Sequence, residues 1–264
     1  MKLLTLNCHS WQEENQMDKI KTLAKTIKEQ AYDVIALQEV SQRIDSLRLE
    51  QGLKADNFVA VLLRELENLG VVEYDFIWDF AHIGFDIFEE GSAILTKHPI
   101  KKTHSFFITD SKDTDYWKTR KIVGATIQYQ DELLSFYSCH LGWWEDEEES
   151  YQNQVDSLFH VVASEGTKYF LMGDFNNDAN IRNEGYDYIV NKGLYDTYHL
   201  AVERDNGSTV KGKIQGWDEN QSDLRIDLIL SSNLFEVVKS KVIFNGVEKP
   251  VVSDHYGVEV SLNL

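Results

Sequence analysis

The chain has 264 residues, of which 42% are hydrophobic and 27% charged, which is typical of a globular protein with a substantial core. Its 26 lysines and arginines stand against 44 aspartates and glutamates, a formal charge of −18. This balance argues against a nucleic acid partner, because neutralising phosphates supplies most of the affinity for such a polyanion. The sequence shows no apolar run of 18 residues and no signal-peptide pattern, so we expect a cytoplasmic protein with no membrane partner.

The sequence contains no candidate linker between domains. Two prolines and the absence of any Gly/Ser-rich or single-sign stretch leave no candidate linker, so we expect one domain over residues 1–264. Cys8 and Cys139 are too few for a disulfide framework and do not form a CxxC metal motif. Two free thiols are therefore expected.

The chain begins with a strand, a helix and a strand. An apolar run at 2–7 predicts a buried strand that ends at Asn7, and helical spacing predicts an amphipathic helix over about 17–30. Residues 33–39 form a second buried strand with Glu39 at its exit. Asn7 and Glu39 should therefore lie at the same edge of the sheet.

The middle of the chain is rich in short strands. We expect, in order, a polar loop at 41–56, a helix at 58–69, strands at 74–81, 92–96 and 100–108, a polar loop at 110–119, and a hairpin of strands 121–130 and 133–140.

The last third repeats this mixture. We expect a helix at about 148–164, a strand leading to Asp174, two helical pieces within 183–202 broken at Gly193, a polar loop at 203–222, and strands at 224–230, 237–244 and 256–262. Strands outnumber helices and many neighbours are linked as hairpins, so mixed β-sheets are expected rather than a purely parallel one.

One strand exit points to chemistry. The apolar run before Gly173 is followed by Asp174 and, two residues later, by Asn176. Side chains two apart on a strand point the same way, and open α/β sheets bind ligands at the carboxyl ends of their strands. A carboxylate beside a carboxamide suits a hard metal ion or a water nucleophile, although the sequence is equally that of an ordinary strand-to-turn exit.

Other polar residues also stand near the ends of predicted strands. Each alone has an ordinary explanation, such as a turn residue, a surface acid or half of a buried ion pair. Together, several carboxylates at one rim would repel one another unless a divalent cation neutralised them, and histidines add acid–base groups near neutral pH. Oxygen ligands favour Mg²⁺ or Mn²⁺ over Zn²⁺. The residues are Asn7, Glu39, His140, Asp174, Asn176, Asp227, Asp254 and His255.

These residues belong to motifs that resemble those of the endonuclease/exonuclease/phosphatase superfamily, in its order and spacing. The motifs are Asn7, Leu37-Gln38-Glu39, Ser138-Cys139-His140-Leu141, Gly173-Asp174-Phe175-Asn176, Arg225-Ile226-Asp227-Leu228-Ile229 and Ser253-Asp254-His255, and they span essentially the whole chain. The resemblance implies a DNase I-like α/β (α+β) fold, a four-layer sandwich of two mixed β-sheets packed face to face and flanked by helices.

The resemblance also implies roles for these side chains. Asp174 would orient or deprotonate the attacking water, helped by Asn176, and Asp227 would fix the tautomer of His255, which with His140 would face the phosphoryl oxygens. The implied metal ligands are Asn7, Glu39 and Asp254. Some nuclease members continue Asn-x-Asn or Asn-x-Asp where this chain has Asn7-Cys8-His9, so the role of His9 stays open.

Aromatic residues favour a sugar among the superfamily's substrates. Indole faces suit the apolar face of a sugar ring, although each ring could instead pack in the core or stack on a base. Arg120 is a candidate phosphate contact, or else a solvated arginine at a strand entry. The candidate indoles, which follow the polar motifs or lie in polar loops, are Trp11, Trp117, Trp143, Trp144 and Trp217.

Two segments resemble the maltose 6'-phosphate phosphatase branch of the superfamily, namely 78–82 and the tryptophan-glutamate run at 143–149. This resemblance implies a Mg²⁺-dependent phosphomonoesterase that releases phosphate from an intracellular sugar phosphate. The alternatives are a Mg²⁺-dependent nuclease acting on DNA or RNA and a binding module without catalysis. The complete set of acids and histidines argues against the module.

Overall fold

The computed structural model describes residues 1–49 and 52–264. Glu50 and Gln51, within the predicted loop at 41–56, lie outside the described residues. The helices are α1 (Gln16–Gln30), α2 (Phe58–Asn68), α3 (Tyr151–Val162), α4 (Gly185–Val190) and α5 (Thr197–Leu200). No helix in these described ranges is long and apolar enough to cross a membrane.

The strands alternate with these helices along the chain. They are β1 (Lys2–Asn7), β2 (Val34–Arg43), β3 (Asp75–Gly84), β4 (Phe88–Thr96), β5 (Ile100–Phe107), β6 (Lys121–Tyr129), β7 (Glu132–His140), β8 (Lys168–Asp174), β9 (Tyr195–Asp196), β10 (Glu203–Arg204), β11 (Val210–Lys211), β12 (Asp223–Leu224), β13 (Asp227–Ser231), β14 (Glu236–Ile243) and β15 (Gly257–Asn263).

Two large sheets form the centre of the fold. One has seven strands in the order β10-β14-β15-β1-β2-β4-β3, and the other has six in the order β5-β6-β7-β8-β13-β9. Parallel pairs such as β1 with β2 and β7 with β8 stand beside antiparallel neighbours, which confirms the predicted mixed sheets. Strands β11 and β12 pair separately.

The two sheets pack face to face through apolar residues that alternate along their strands. Leu3 points into the space between the sheets, whereas Leu4 points to the helices α1 and α2. Within the central layer the rings of Phe136 and Phe170 stack with centroids 5.1 Å apart. Helices α3 and α4 cover the outer face of the second sheet. The predicted four-layer DNase I-like sandwich is therefore confirmed.

Several strands differ from the prediction in their bounds. β2 continues to Arg43, beyond the predicted end at residue 39, because an irregularity around Glu39 lets the strand resume pairing with β4. β4 accordingly begins at Phe88 rather than at residue 92. In the loop predicted at 203–222 the chain forms the short strands β10 and β11.

The strand predicted at 224–230 is divided in two. Leu224 pairs with Val210 in β12, whereas β13 begins at Asp227 and pairs with β8. Asp227 therefore stands at the start of its strand. Because β13 runs antiparallel to β8, the start of β13 lies directly opposite Asp174, which is at the carboxyl end of β8.

Gly173 is required by the close pairing of β7 and β8. Its φ is 150°, and a Cβ added there would lie 1.9 Å from the backbone oxygen of Cys139. We expect Gly173→Ala to lower the free energy of unfolding by about 3 kcal/mol or more, measured by urea denaturation. The control is Gly166→Ala, where φ is also positive but no atom lies within 4 Å; it should cost about 1 kcal/mol. Equal losses in the two variants would contradict the steric argument.

Candidate active site

The carboxyl ends of two parallel strand pairs meet at one rim of the sandwich. In the first sheet Asn7 lies opposite Gln38 across β1 and β2, which places Glu39 beside Asn7. In the second sheet His140 lies opposite Asp174 across β7 and β8. Each sheet therefore delivers polar side chains to the same edge, as the strand order predicts.

Two antiparallel strands complete the rim. β13 places Asp227 opposite Asp174, and β15 begins just after Asp254 and His255. Because β15 is antiparallel to β1, its first residues lie at the edge where β1 ends. The six motifs of the sequence are thus brought together by topology.

A cleft of about 500 Å³ opens at this rim. Some of the sequence-predicted residues line it and the others lie behind it or elsewhere. Those that line it are Glu39, Trp117, Arg120, His140, Trp143, Asp174, Asn176, Asp254 and His255.

Asn7 is fully buried behind the cleft and joins two carboxylates. Its Nδ2 donates to Oε1 of Glu39 at 2.8 Å and to Oδ2 of Asp174 at 3.2 Å, and its Oδ1 accepts from the backbone N–H of His9 at 3.1 Å. In this arrangement Asn7 supports the carboxylates, and Glu39, not Asn7, faces the cleft. Expected as a metal ligand from the sequence, Asn7 is a bridge between the two sheets in this structure.

Asp174 is the central carboxylate of the site. Its Oδ1 accepts from the backbone N–H of Asn176 at 2.8 Å, and it is 1% exposed. Burial raises the pKa of Asp174 to about 7, with the nearby charge of His255 opposing the rise and the Asp227 carboxylate adding to it. A carboxylate with a pKa near neutrality suits proton transfer.

Asp227 holds His255 in one orientation. The two side chains meet at 2.9 Å between Oδ2 of Asp227 and Nδ1 of His255. Because the carboxylate accepts, Nδ1 carries a proton, and Nε2 lies 3.8 Å from Oδ2 of Asp174. Burial opposes protonation of His255, but the Asp227 and Asp174 charges outweigh it and raise its pKa well above the ordinary value.

The pKa of His140 is shifted in the opposite direction to that of His255. Its Nε2 lies 3.8 Å from Oδ2 of Asp174 and 3.9 Å from Oε1 of Glu39. Burial, aided by the positive charge of Arg120, lowers the pKa of His140 well below its usual range. The rim thus holds one imidazole favoured as neutral and, in His255, one favoured as charged.

The donor set fits a hard divalent cation. Ligating atoms of Glu39, His140 and Asp174 lie within 4.8 Å of one another, and so do those of His9, Glu13 and Asp254. Oε2 of Glu39 accepts no hydrogen bond from the part of the chain that the structure describes. Two buried acids and open carboxylate oxygens at one rim are what Mg²⁺ or Mn²⁺ would neutralise.

His9, whose role the sequence left open, lies beside Glu13. Its Nδ1 lies 2.7 Å from Oε1 of Glu13, and its Nε2 is buried without a hydrogen-bond partner in residues 1–49 and 52–264. Glu13 also pairs with Lys19 and accepts from the backbone N–H of Asp254. Glu13 is not among the sequence-predicted residues, because it lies in the connection between β1 and α1, where no strand end marks it.

Arg120 is buried in the wall of the cleft rather than solvated. It is 4% exposed, and its Nη1 donates to the carbonyl of Trp117 at 2.9 Å. Its Nε finds no partner among the described residues. A guanidinium in the wall of the cleft is suited to attract an anionic ligand.

The five indoles separate into two sets. Trp117 and Trp143 line the cleft with ring centroids 6.2 Å apart. The structure does not bring Trp11 and Trp144 to the cleft, because Trp11 packs on Phe58 under the first sheet and Trp144 on the aromatic rings beside α3.

Trp217 acts through another residue. Its Nε1 donates to Oδ1 of Asn176 at 3.0 Å, and its ring packs on the small apolar cluster beside β11 and β12. It therefore positions Asn176 instead of lining the cleft. Asn176 itself donates Nδ2 to the carbonyl of Leu141 at 2.9 Å.

Comparison with known proteins gives one family. A family model described as "Endonuclease/Exonuclease/phosphatase family" matches residues 4–255. An endonuclease/exonuclease/phosphatase family protein from Leptotrichia buccalis C-1013-b is 39% identical, with 100% of each chain covered and a TM-score of 0.94. A search of curated proteins finds no match.

More distant solved structures share the fold. A mannosyl-6-phosphatase from Bacteroides thetaiotaomicron VPI-5482 is 18% identical, with 100% of each chain covered and a TM-score of 0.70. A truncated TDP2 from Caenorhabditis elegans is 17% identical, with 100% of this chain and 97% of that chain covered and a TM-score of 0.63.

Proposed function

The chain belongs to the endonuclease/exonuclease/phosphatase family, whose members act on phosphoester bonds, and on this basis we propose that it is a divalent-metal-dependent phosphomonoesterase acting on a sugar phosphate. One observation carries the proposal: a single cleft holds both the acid and histidine cluster and the indoles of Trp117 and Trp143. The cluster suits a phosphate and the indoles suit the sugar that carries it.

The metal would be held mainly by Glu39 and Asp254, with Asn7 supporting Glu39 from behind. When bound, Mg²⁺ or Mn²⁺ supplies positive charge that polarises the phosphoester and offsets the repulsion among the carboxylates. Glu39 and Asp254 thus keep the ligand roles that the resemblance implies, whereas Asn7, for which it implies a ligand role, supports Glu39 instead.

Each of the remaining side chains has a separate role in hydrolysis. Asp174 accepts the proton of the attacking water, and Asn176, fixed by Trp217, helps to orient that water. His255, held by Asp227, directs Nε2–H towards the phosphoryl oxygens as their charge develops, and His140 stands beside it. The positive charge of Arg120, in the wall of the same cleft, attracts the same anion.

Several observations support a sugar as the group that carries the phosphate. The chain shares its fold with a mannosyl-6-phosphatase, and its segments at 78–82 and 143–149 resemble the maltose 6'-phosphate phosphatase branch. We therefore propose maltose 6'-phosphate as the foremost candidate. Its products would be maltose and inorganic phosphate.

A Mg²⁺-dependent nuclease is the competing function, and the shared fold of the TDP2 structure is compatible with it. The electrostatics disfavour it. The formal charge is −18, and the cleft itself carries the acidic side chains Asp86, Asp115 and Asp218 in addition to the central cluster. A polyanionic strand would meet repulsion along this wall.

A substrate screen tests the proposed function. Purified protein with Mg²⁺ would be offered phosphorylated mono- and disaccharides, plasmid and single-stranded DNA, RNA, and choline phosphodiesters, with release of phosphate and strand cleavage measured in parallel. We expect phosphate release from sugar phosphates alone. Efficient cleavage of nucleic acid with no sugar phosphate hydrolysed would overturn the proposal.

Metal removal gives a separate prediction. EDTA should reduce sugar phosphate hydrolysis to the background rate, and Mg²⁺ or Mn²⁺ should restore it, because the carboxylate cluster is assembled for a cation. Glu39→Gln should need at least about tenfold more Mg²⁺ for half-maximal activity. The control Glu67→Gln changes an exposed acid on α2, outside this cleft, and should keep the wild-type requirement. Full activity in EDTA would contradict the metal's role.

A further inference from the structure

The cleft continues beyond the metal and proton-transfer side chains, along β3 and β4, where a buried carboxyl faces it. Glu90 lies on β4, paired with Ser41 of β2 on one side and with His82 of β3 on the other. Its side chain is 9% exposed, yet both Glu90 and His82 line the cleft. Neither residue has a part in the hydrolysis described above.

Strand irregularities explain why Glu90 faces the cleft. The register of β4 shifts against β2 between Leu37 and Val40 and against β3 between Phe80 and His82. Both shifts lie next to Gly91, where an added Cβ would be 2.0 Å from the backbone oxygen of Asp79. Such bulges redirect side chains, and here they direct Glu39 and Glu90 into one cavity.

Glu90 and His82 together leave an acceptor unsatisfied. Nδ1 of His82 lies 3.1 Å from the carbonyl of Thr119, so Nδ1 carries the proton and Nε2 presents a lone pair. That lone pair lies 3.4 Å from Oε1 of Glu90. Within the described residues no N–H or O–H group donates a hydrogen bond to the Glu90 carboxyl. The Glu90 carboxyl faces the cleft with unused acceptor capacity, so a ligand there can donate a hydrogen bond to it.

The charge states agree with this geometry. Burial lowers the pKa of His82 to about 3, and Arg120 adds to the effect, so the ring is neutral. Burial raises the pKa of Glu90 to about 8, and the Glu39 carboxylate raises it further while Arg120 opposes the rise. The pair therefore carries little charge near neutral pH, which suits a neutral ligand group.

A hydroxyl group is the ligand group that this pair fits. The neutral Glu90 carboxyl can direct its proton to the Nε2 lone pair of His82, which leaves it only acceptor positions for a ligand. A hydroxyl can donate to these positions, whereas a phosphate or carboxylate would bring two acceptors against each other. Trp117 and Trp143 line the same cleft and can cover the face of a ring that bears such hydroxyls. The same cleft thus holds Arg120, which suits an anion, and the Glu90 carboxyl, which suits a hydroxyl.

We propose that Glu90 is a specificity-determining residue, which with His82 binds a hydroxyl of the substrate's sugar and keeps a second phosphate out of that place. The inference rests on the proposed function and deepens it, because it states which part of the substrate the protein selects. Glu90 contributes to binding of the leaving group and takes no part in proton transfer.

A variant with matched shape tests the assignment. Glu90→Met keeps the length of the side chain and removes its acceptors. For the best sugar phosphate of the screen we expect kcat/KM to fall by about 10- to 100-fold, mostly through KM. For phenyl phosphate, which has no hydroxyl to bind, kcat/KM should stay within about twofold. Glu67→Met, at an exposed acid on α2 outside this cleft, should leave both values unchanged.

Substrate analogues make the test independent of how well the variant folds. The wild-type enzyme would be assayed with each monodeoxy derivative of the same sugar phosphate, and one derivative should lose about as much kcat/KM as Glu90→Met does with the parent. Glu90→Met should not distinguish that derivative from the parent, since the two changes remove the same contact.

The outcomes separate the two proposals. If wild-type protein hydrolyses no sugar phosphate, both fall. If it does, an equal loss on phenyl phosphate and sugar phosphate in Glu90→Met, or no loss on either, overturns only the role of Glu90. The same conclusion follows if no monodeoxy derivative loses more than about twofold with the wild-type enzyme.

Discussion

Replacing Asp174 by asparagine is expected to lower kcat for sugar phosphate hydrolysis by about a thousandfold or more, with the fold retained. The carboxamide keeps the shape of the side chain and can still accept from the N–H of Asn176, but it cannot take a proton from water. No other carboxylate is fixed at this place by bonds from both Asn7 and Asn176 within the described residues.

Asp218 provides the matched control for this substitution. It lies in the same cleft and is exposed, so Asp218→Asn makes the same change of charge without touching the buried cluster. We expect its kcat to remain within about threefold of the wild type. Thermal unfolding of both variants would show whether the loss in Asp174→Asn is chemical. Comparable activity of the two variants would remove Asp174 from proton transfer.

Asp227→Asn is expected to give the second largest loss, about 100-fold or more in kcat. The Asp227 carboxylate accepts from Nδ1–H of His255 at 2.9 Å and so directs Nε2 to the cleft. An asparagine can turn its N–H₂ group to the ring and favour the other tautomer. KM should change little, because Asp227 itself does not line the cleft.

A double substitution shows whether Asp227 acts through His255. If it does, Asp227→Asn combined with His255→Ala should be no slower than His255→Ala alone, since residues that act as a unit have non-additive effects. Losses that multiply in the double variant would mean that Asp227 contributes by another route. Activity of His255→Ala at the wild-type level would remove the histidine from the reaction.

The rim could be predicted from sequence because its residues sit at strand ends. Hydrophobic runs mark β1, β2, β7 and β8. The polar residue at the end of each run can be identified without knowing which strands pair. Because parallel strands end at one edge, the strand–helix–strand pattern places Asn7 with Glu39, whereas the pairing of His140 with Asp174 is seen only in the structure. The structure adds how the two sheets meet, through hydrogen bonds such as that from Asn7 to Asp174.

The wall of the cleft could not be predicted in the same way. Glu90 is followed by Gly91 within a strand, and its direction depends on bulges that are set by pairing with two other strands. Trp144 and Trp143 are adjacent in sequence, yet one packs beside α3 and the other lines the cleft. Local pattern does not carry this information, because side-chain direction here is decided by long-range contacts.

Arg120 shows the same limit for a charged residue. At a strand entry an arginine is most often solvated, but here its neighbours in the cleft include Glu39 and Asp174, whose charges act on the buried guanidinium. Those carboxylates come from two different strands. Only their assembly provides the negative surroundings that stabilise a buried cation.

The most direct test of a phosphomonoesterase with a sugar-binding cleft compares one sugar phosphate with its methyl phosphodiester under identical Mg²⁺. The two substrates present the same sugar to Glu90 and the indoles and differ only in a methyl group on the phosphate. We predict that kcat/KM for the monoester exceeds that for the diester by about 100-fold or more. Equal rates, or faster hydrolysis of the diester, would contradict the account.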